Sequence, residues 1–487
     1  MCRPFSNATL PFRCPANCKH VQVLNPHAVG DQEINYRPLV VGGPPASLVS
    51  ALEEQEDDVW GEDPLDTVYR GDSFICGSAI HAGFVSNREG GCGVLSLVGT
   101  QSNFTSSRRH GISSISFDSY FPLSFSFVTG TASQCKDLRW PLFAVSLTFT
   151  VLLSLFTTSP GVFSASTFIG LFFHVGLASD PPNDTDYYAI VSIAIGRFLP
   201  AAFCMAIMYY VSIRRTLFGL NAQIEKTILW LGGAWVGALN NYTFDKIPIE
   251  RLTPHDLKQQ PGAIPALIII VLLLFCIALG QAWALRIEGL LPRYLAIYAT
   301  MGACLLLLVA VPKMNVRIHH YILALLLLPG TCMQTRPSLL YQGILFGLFV
   351  NGIARWGFDS LLQTPGELLQ DGQLGSTLPV LLPPTIWLNS LTDPLSSLAP
   401  NITFTWQRPL PRDYDGVSVL VNDVERFRGY EDARETSFTW VRDAKFGDLP
   451  EYFRFGLMSG SSVGDFTKAG KWDEKGGWTP MKSGPSK

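Results

Sequence analysis

The chain has 487 residues, of which 47% are hydrophobic and only 15% are charged. Soluble globular proteins carry about 25% charged residues, so this composition argues against a single soluble enzyme. A net charge of −3 excludes the broad basic surface of a nucleic-acid-binding protein. Most charges lie before residue 139 and after residue 355. We therefore predict a multi-pass membrane region between two polar ends, with no nucleic-acid partner.

The first polar segment, residues 1–135, is predicted to form an α+β domain. Phe74–Ala82 is apolar and free of proline, which predicts one short buried helix. Short apolar runs between glycines predict strands at Val21–Leu24, Leu39–Val41, Gly93–Val98 and Leu123–Phe127. Residues 53–66 hold eight acidic residues and no basic one. They predict a solvated acidic loop, because they lack the alternation and central glycine of a calcium-binding loop.

Six cysteines precede the first long apolar segment, and four more lie within apolar segments. The even set suits disulfides in an oxidising lumen, with the pairing left open. The disulfide candidates are Cys2, Cys14, Cys18, Cys76, Cys92 and Cys135. Zinc binding by Cys14 and Cys18 is the alternative, but no histidine pair with finger spacing follows. The cysteines of the apolar segments, Cys204, Cys276, Cys304 and Cys332, are expected to act as small packing residues.

Four motifs of the first segment resemble the LCCL domain. They are Cys14-Pro-Ala-Asn-Cys18, the run from Tyr69 through Cys76 and His81 to Gly83, Gly90-Gly91-Cys92-Gly93-Val94, and His110-Gly111-Ile112-Ser113-Ser114. With the apolar region, including His319-His320-Tyr321 and Gln334–Tyr341, the chain resembles the fungal multi-pass LCCL-domain membrane proteins over nearly its whole length. The resemblance implies a ligand-binding or scaffold role without an assigned reaction. Its ligand would be a lipid, a glycan or a protein.

The segment from 138 to 358 is predicted to be a bundle of eight transmembrane helices, since about 20 apolar residues cross the hydrocarbon core. The predicted spans are 140–158, 162–179, Tyr187–Ile213, Thr227–Phe244, a part of Gln259–Leu285, Tyr294–Pro312, Ile318–Thr335 and Pro337–Ala354. Ser159-Pro160-Gly161 separates the first two spans as a turn signal. The lipid bilayer is therefore an expected partner.

Basic connections and glycosylation sequons agree on one orientation. Arg214, Arg215, Lys226, Arg286, Arg293 and Arg336 fall in connections that the positive-inside rule places in the cytoplasm. Sequons at Asn7, Asn103, Asn183, Asn241 and Asn401 then all face the lumen. We expect glycans at Asn7, Asn103 and Asn401, and both polar ends on the lumenal or extracellular side in the secretory pathway. No signal peptide precedes Cys14, so we expect Met1 to lie within a longer precursor.

The second polar segment is predicted to begin with a linker at 359–384. Alternating runs at Ile402–Trp406 and Val417–Val421, and further strands at Ser437–Val441 and Tyr452–Met458, predict a β-sandwich over 385–470. Thr403-Phe-Thr-Trp406 followed by Tyr452-Phe-Arg-Phe resembles a fibronectin type III domain. Residues 471–487 are predicted to be a disordered tail.

Ionisable residues inside a membrane are candidates for function. They form a predicted lumenal-side cluster of His174, Asp180, Arg197, His319, His320 and Asp359. A structural role is favoured for them. A transporter or receptor that uses the membrane core, and a metal-dependent membrane hydrolase that uses the histidines, stay open as alternatives. His81 could likewise bind a metal, but a core histidine bonded to the backbone is favoured. We expect no cofactor.

Overall fold

The computed structural model describes residues 8–23, 25–44, 67–133, 135, 137–182, 184, 186–249, 252, 254–364, 367, 374–387, 400–431 and 436–486. The predicted sites Cys2, Asn7 and Asn183 and the acidic segment 53–66 lie outside these residues. The chain forms two compact units: Met1–Asp137 together with Asp371–Lys487, and Leu138–Gln370. We call the first unit the head and the second the helical region.

The N-terminal module of the head, residues 8–137, is rich in short strands. They are β1 (Thr9–Cys14), β2 (His27–Val29), β3 (Gln32–Ile34), β4 (Tyr69–Arg70), β5 (Gly91–Leu97), β6 (Gln101–Phe104), β7 (Arg108–Arg109), β8 (Ile112–Ser113), β9 (Phe117–Phe121) and β10 (Ser124–Phe127). An antiparallel sheet of order β1-β5-β10-β4 packs with helix α1 (Ile75–His81), and β2–β3, β6–β9 and β7–β8 form pairs. The predicted helix is confirmed, whereas Val21–Val23 forms no strand and Val21 is exposed.

Two disulfides fasten this module. Cys14 at the end of β1 is joined to Cys76 in α1, and Cys92 in β5 is joined to Cys135. Each bond closes a long loop, 62 and 43 residues in sequence separation, so each restricts the unfolded chain. The Cys18 side chain is buried and its thiol lies 3.0 Å from the carbonyl oxygen of Pro15. Oxidation of Cys2 and Cys18 stays a prediction.

The C-terminal module of the head, residues 374–486, consists of two antiparallel sheets. One has the order β13-β14-β17, with β13 (Thr385–Trp387), β14 (Asn401–Thr405) and β17 (Ser437–Val441). The other has the order β16-β15-β18-β20-β21, and β19 also pairs with β18. Its strands are β15 (Gly416–Val421), β16 (Val424–Tyr430), β18 (Glu451–Ser459), β19 (Ser462–Phe466), β20 (Gly470–Trp472) and β21 (Trp478–Thr479). Alternate residues such as Phe404, Val419 and Phe455 form the buried core between the sheets.

The prediction of a disordered tail at 471–487 is wrong, because the described residues of this segment include two strands. Lys471 and Trp472 pair with Tyr452 and Glu451 of β18, and β21 pairs with β20. The Trp472 side chain is fully buried. The lysines and glycines of this segment suggested a solvated end, but its two tryptophans supply enough apolar surface to extend the sheet. The described residues of the predicted linker also take part, because Leu381 bridges to Trp406.

The helical region begins at Leu138 and contains most of the apolar helices. They are α2 (Arg139–Phe156), α3 (Pro160–His174), α4 (Tyr187–Met208), α5 (Arg214–Leu217), α6 (Gln223–Glu225), α7 (Gly232–Ala238), α8 (Asn240–Thr243), α9 (Pro254–Gln259), α10 (Ala263–Ile287), α11 (Leu291–Val309), α12 (His320–Leu327) and α13 (Arg336–Trp356). π-Helical turns extend the helices at Val175–Ser179, Tyr209–Ile213 and Lys226–Leu231. Strands β11 (Asn315–Val316) and β12 (Leu362–Gln363) form a short pair.

Among the described residues, six helices are long and apolar enough to cross a membrane, by length and composition: α2, Pro160–Ser179, Tyr187–Leu217, α10, α11 and α13. Two of the eight predicted spans correspond to shorter helical segments. In the predicted span Thr227–Phe244, helix α7 ends at Ala238. In the predicted span Ile318–Thr335, α12 is followed by a 3-10 turn at Leu328–Thr331. Pro329 and Gly330 explain that break, because proline removes a backbone donor and glycine is a poor helix former.

Candidate functional site

His81 lies at the centre of the N-terminal module and has no exposed surface. Its Nε2 is 3.1 Å from the carbonyl oxygen of Ser107, which can only accept, so Nε2 carries the proton. The Tyr69 hydroxyl then donates to Nδ1 over 2.9 Å. Burial lowers the pKa of His81 to about 4, with a smaller contribution from the charge of Arg109. Both ring nitrogens are used within the module, which supports a core histidine over a metal ligand.

The two modules of the head meet at a buried ionic joint, which we define as Arg70, Asp423 and Arg454. Arg70 Nη1 and Arg454 Nη1 both donate to the Asp423 carboxylate at 2.8 Å, one to each oxygen. The three side chains are nearly fully buried, with exposures of 1%, 8% and 7%. Asp423 also accepts from the backbone of Gly30, and Arg454 donates to the Gly30 carbonyl. Three buried charged side chains thus hold the two modules together.

Local structure explains how Asp423 reaches across. Asn422 and Asp423 connect β15 to β16 and both have positive φ, 51° and 63°, as in the two-residue turns that suit right-twisted hairpins. Asn and Asp tolerate this left-handed conformation better than other non-glycine residues. The turn therefore presents a carboxylate at the tip of the β15–β16 hairpin.

A second set of contacts extends the joint. Tyr120 donates to Glu451 over 3.0 Å, and the Tyr452 hydroxyl donates to Asp118 over 2.8 Å. Burial raises the pKa of Glu451, and its hydrogen bond from Trp440 partly offsets this. At the edge, Lys471 lies 3.2 Å from Asp118. No sequence pattern indicates these pairs, because the two partners of each pair lie far apart in the chain.

Arg197 caps the last long helix. Its guanidinium donates to the carbonyl oxygens of Ala354 at 3.0 Å and Arg355 at 2.7 Å, at the C-terminal end of α13. The last carbonyls of a helix lack partners within it and carry partial negative charge, so a cation there stabilises the helix. This arrangement supports the structural role expected for Arg197.

The predicted polar cluster is divided in the structure. His319 lies 3.9 Å from Asp359 and contacts the carbonyl of Ser360, while His320 is exposed at the start of α12. His174 instead contacts Ser146 at 3.2 Å, and Asp180 accepts from Asn351 at 3.3 Å. The described part of the chain holds no group of three His, Cys, Asp or Glu residues that could bind a metal ion. The metal-hydrolase alternative therefore gains no support from these positions.

The helical region contains a buried polar network that the predicted ionisable cluster does not include. Buried Gln342 accepts from Trp230 at 2.9 Å and donates to Ser212, Thr216 and the carbonyl of Thr331. Four segments meet at this one side chain. The glutamine inside an otherwise apolar segment is the sequence signal for this network, and it is not an ionisable residue.

The described glycosylation candidates differ in exposure. Asn103 is exposed with a φ of 56°, whereas Asn401 is half-buried at the start of β14. Modification of either asparagine stays a prediction.

Comparisons with known proteins agree with the N-terminal module. A family model described as the LCCL domain matches residues 1–124. The uncharacterized protein YIL067C of Saccharomyces cerevisiae is 32% identical over 526 aligned residues, which cover 100% of this chain and 73% of the yeast protein. No solved structure matches the chain.

Proposed function

The chain belongs to the same family as the yeast protein YIL067C, and on that premise we propose that it is a multi-pass membrane protein whose head is a lumenal or extracellular binding or scaffold unit. The buried joint of Arg70, Asp423 and Arg454 carries the proposal. It makes an LCCL domain and a second β-sheet module into one unit built from both ends of the chain.

The joint has a topological consequence. Two modules that pack together must lie on the same side of a membrane, so the segment between them must cross it an even number of times. Six long apolar helices meet this condition, and so do the eight spans expected from the sequence. The two disulfides favour the lumenal or extracellular side, because such bonds persist in oxidising compartments.

The strand order supports a fibronectin type III-like module as part of the proposal. β13, β14 and β17 form one sheet, and β16, β15, β18 and β19 are neighbours in the other. Immunoglobulin-like sandwiches divide their strands between two sheets in a comparable way. Such modules commonly space or bind other chains, which suits a scaffold.

Topology is tested with epitope tags at both termini of the full chain in intact cells and in sealed membrane vesicles. We expect both tags to be protected from protease in the vesicles, and Asn103→Gln to remove a glycan that an endoglycosidase releases. A C-terminal tag that is accessible from the cytosol would contradict the proposal.

The binding role is tested with the full chain reconstituted in lipid discs and applied to glycan arrays and lipid vesicles. We expect saturable binding to one class, with Cys76→Ser as a variant that weakens the head and lowers the binding. Absence of saturable binding by a protein whose two disulfides are intact would oppose a ligand-binding head.

A further inference from the structure

A small cavity lies in the helical region, between the start of α2 and the end of α3 with its π-helical turn. It is lined by Arg139, Trp140, Phe143, His174, Ser179 and Tyr242, among others. Its volume is about 10 Å³ and it is partly open. That volume suits a single hydroxyl group or water oxygen.

Two buried polar atoms of the residues that line this cavity have no hydrogen-bond partner among the described residues. They are Nε2 of His174 and Oγ of Ser179, on side chains that are 6% and 4% exposed. A buried polar atom that makes no hydrogen bond costs about 1–3 kcal/mol. Two such atoms on one cavity indicate a group that binds between them.

The surroundings hold the His174 ring in place. Its other nitrogen, Nδ1, lies 3.2 Å from the Ser146 hydroxyl, and the ring stands edge-on to Trp235 at 5.1 Å. Phe143 flanks the same ring at 6.1 Å. The His174 ring is therefore held in one orientation beside the cavity, as a preorganised binding group would be.

A fixed wall continues beside Ser179. The Tyr242 hydroxyl donates to the Ser179 carbonyl at 2.8 Å, and Arg139 donates to the same hydroxyl. Asp180, which follows directly, is buried and accepts from Asn351. Charges of both signs thus already lie at this end of the bundle, and an ionised ligand would add a further buried charge.

We propose that this cavity binds the free hydroxyl group of a membrane lipid, such as a sterol or a diacylglycerol. A hydroxyl both donates and accepts, so it suits either tautomer of His174 and the Ser179 hydroxyl at once. It is neutral, and it fits the volume. The rest of the lipid would lie along the outer face of α2, where Trp140 and Val145 are 47% and 68% exposed.

The sequence of α2 is compatible with this lipid class. Arg139, Phe143 and Val145 follow one another in the basic, aromatic and aliphatic order of short patterns proposed for sterol contact, which are weak on their own. Exposed Trp140 at the helix start is typical of the membrane–water interface. The inference rests on the membrane insertion proposed above, but not on any ligand of the head.

The test uses the full chain in lipid discs with photoactivatable probes. The probes are a sterol with a free hydroxyl, the same sterol as a methyl ether, a diacylglycerol, and a phosphatidylcholine that lacks a free hydroxyl. We expect saturable labelling of the Trp140–Phe143 peptide by the sterol or the diacylglycerol, which identifies the lipid source. His174→Phe keeps an aromatic ring but removes the Nε2 atom, and Ser179→Ala removes the Oγ atom. Each should weaken binding about fivefold, as expected for one lost hydrogen bond.

His320→Phe is the matched control, because this exposed histidine lies outside the cavity, and it should leave labelling unchanged. Equal labelling by the methyl ether, or no saturable labelling at all, would overturn the inference and leave the cavity to a water molecule. Carbonate extraction of the membranes is measured separately. Release of the chain by carbonate would contradict the proposed membrane insertion, whereas retention with no labelling would contradict only the lipid site.

Discussion

Single residues decide how the two ends of the chain are joined. Asp423 is shared by two buried guanidinium groups, and no pattern in the sequence distinguishes it from the other acidic residues of its module. The core role favoured for His81 agrees with its full burial and with its hydrogen bonds to Tyr69 and to the backbone of Ser107. A long-range pair such as Arg70 and Asp423, 353 residues apart, follows only from the folded structure.

Asp423→Asn keeps the turn conformation and removes the charge that Arg70 and Arg454 share. We expect the free energy of unfolding of the head to fall by about 3 kcal/mol, because buried Arg454 loses its counter-ion and buried Arg70 keeps only Asp72. This change is measured by chemical unfolding of the full chain, with limited proteolysis of the head as the readout at each denaturant concentration.

Glu33→Gln is the matched control for that variant. Glu33 pairs with Lys468 across the same two modules at 3.6 Å, but both side chains are partly exposed. We expect a loss below about 1 kcal/mol. Equal effects of the two substitutions would contradict the assigned importance of the buried joint.

His81 predicts a dependence of stability on pH. Its folded-state pKa, about 4, lies below the ordinary value of 6.5, so the unfolded chain binds the proton more tightly. Stability is therefore fully present above about pH 6.5 and is lost as the pH falls toward 4. The loss at pH 5 should reach about 2 kcal/mol.

Unfolding of the head at pH 7 and pH 5 checks this value. His81→Gln should flatten the dependence, while His20→Gln, at an exposed histidine of the same module, should keep it. A wild-type protein with equal stability at both pH values would oppose the assigned role of His81.

At the scale of elements, apolar length predicted the long helices and alternation predicted the main strands of the C-terminal module. Ser159 caps α3 at the predicted turn, accepting from the backbone of Val162. The apolar pattern of a span cannot show which helices pack closely, because its length does not depend on which helix lies beside it. It also could not reveal that Trp472 and Trp478 add strands to a sheet, since their partners are distant in sequence.

Helices α7 and α13 approach each other closely through glycines on both sides. A Cβ on Gly347 would lie 2.1 Å from the carbonyl oxygen of Ala234, and one on Gly343 would lie 2.1 Å from that of Trp230. Gly237 meets the backbone of Ile344 in the same way, at 2.2 Å. Glycines four residues apart let helix backbones approach, as in membrane helix dimers.

Gly347→Ala should separate these helices and lower the stability of the helical region by about 3 kcal/mol, because the added methyl meets backbone that cannot move aside alone. Thermal unfolding of the purified chain in detergent measures the loss. Gly280→Ala is the control, since no described atom lies within 4 Å of its Cβ position. There the better helix propensity of alanine should give no loss and a gain of up to about 1 kcal/mol. Similar losses in both variants would contradict the close packing of α7 and α13.

At the scale of the whole molecule, the two ends of the chain form one head. The sequence predicted two separate polar domains on one side of the membrane. It could not predict that they pack together, because their contacts depend on the folded surfaces of both modules. That packing supports an even number of crossings without requiring the exact number.

Carbodiimide coupling of the full chain in native membrane vesicles, followed by mass spectrometry, tests this central claim most directly. The reagent joins an amine to a neighbouring carboxylate, and Lys471–Asp118 at 3.2 Å and Lys468–Glu33 at 3.6 Å are such pairs between the two modules. We predict both cross-linked peptides, with loss of the first in Asp118→Asn and of the second in Glu33→Gln. Absence of both links in a protein whose Cys14–Cys76 and Cys92–Cys135 disulfides are intact would contradict a single head.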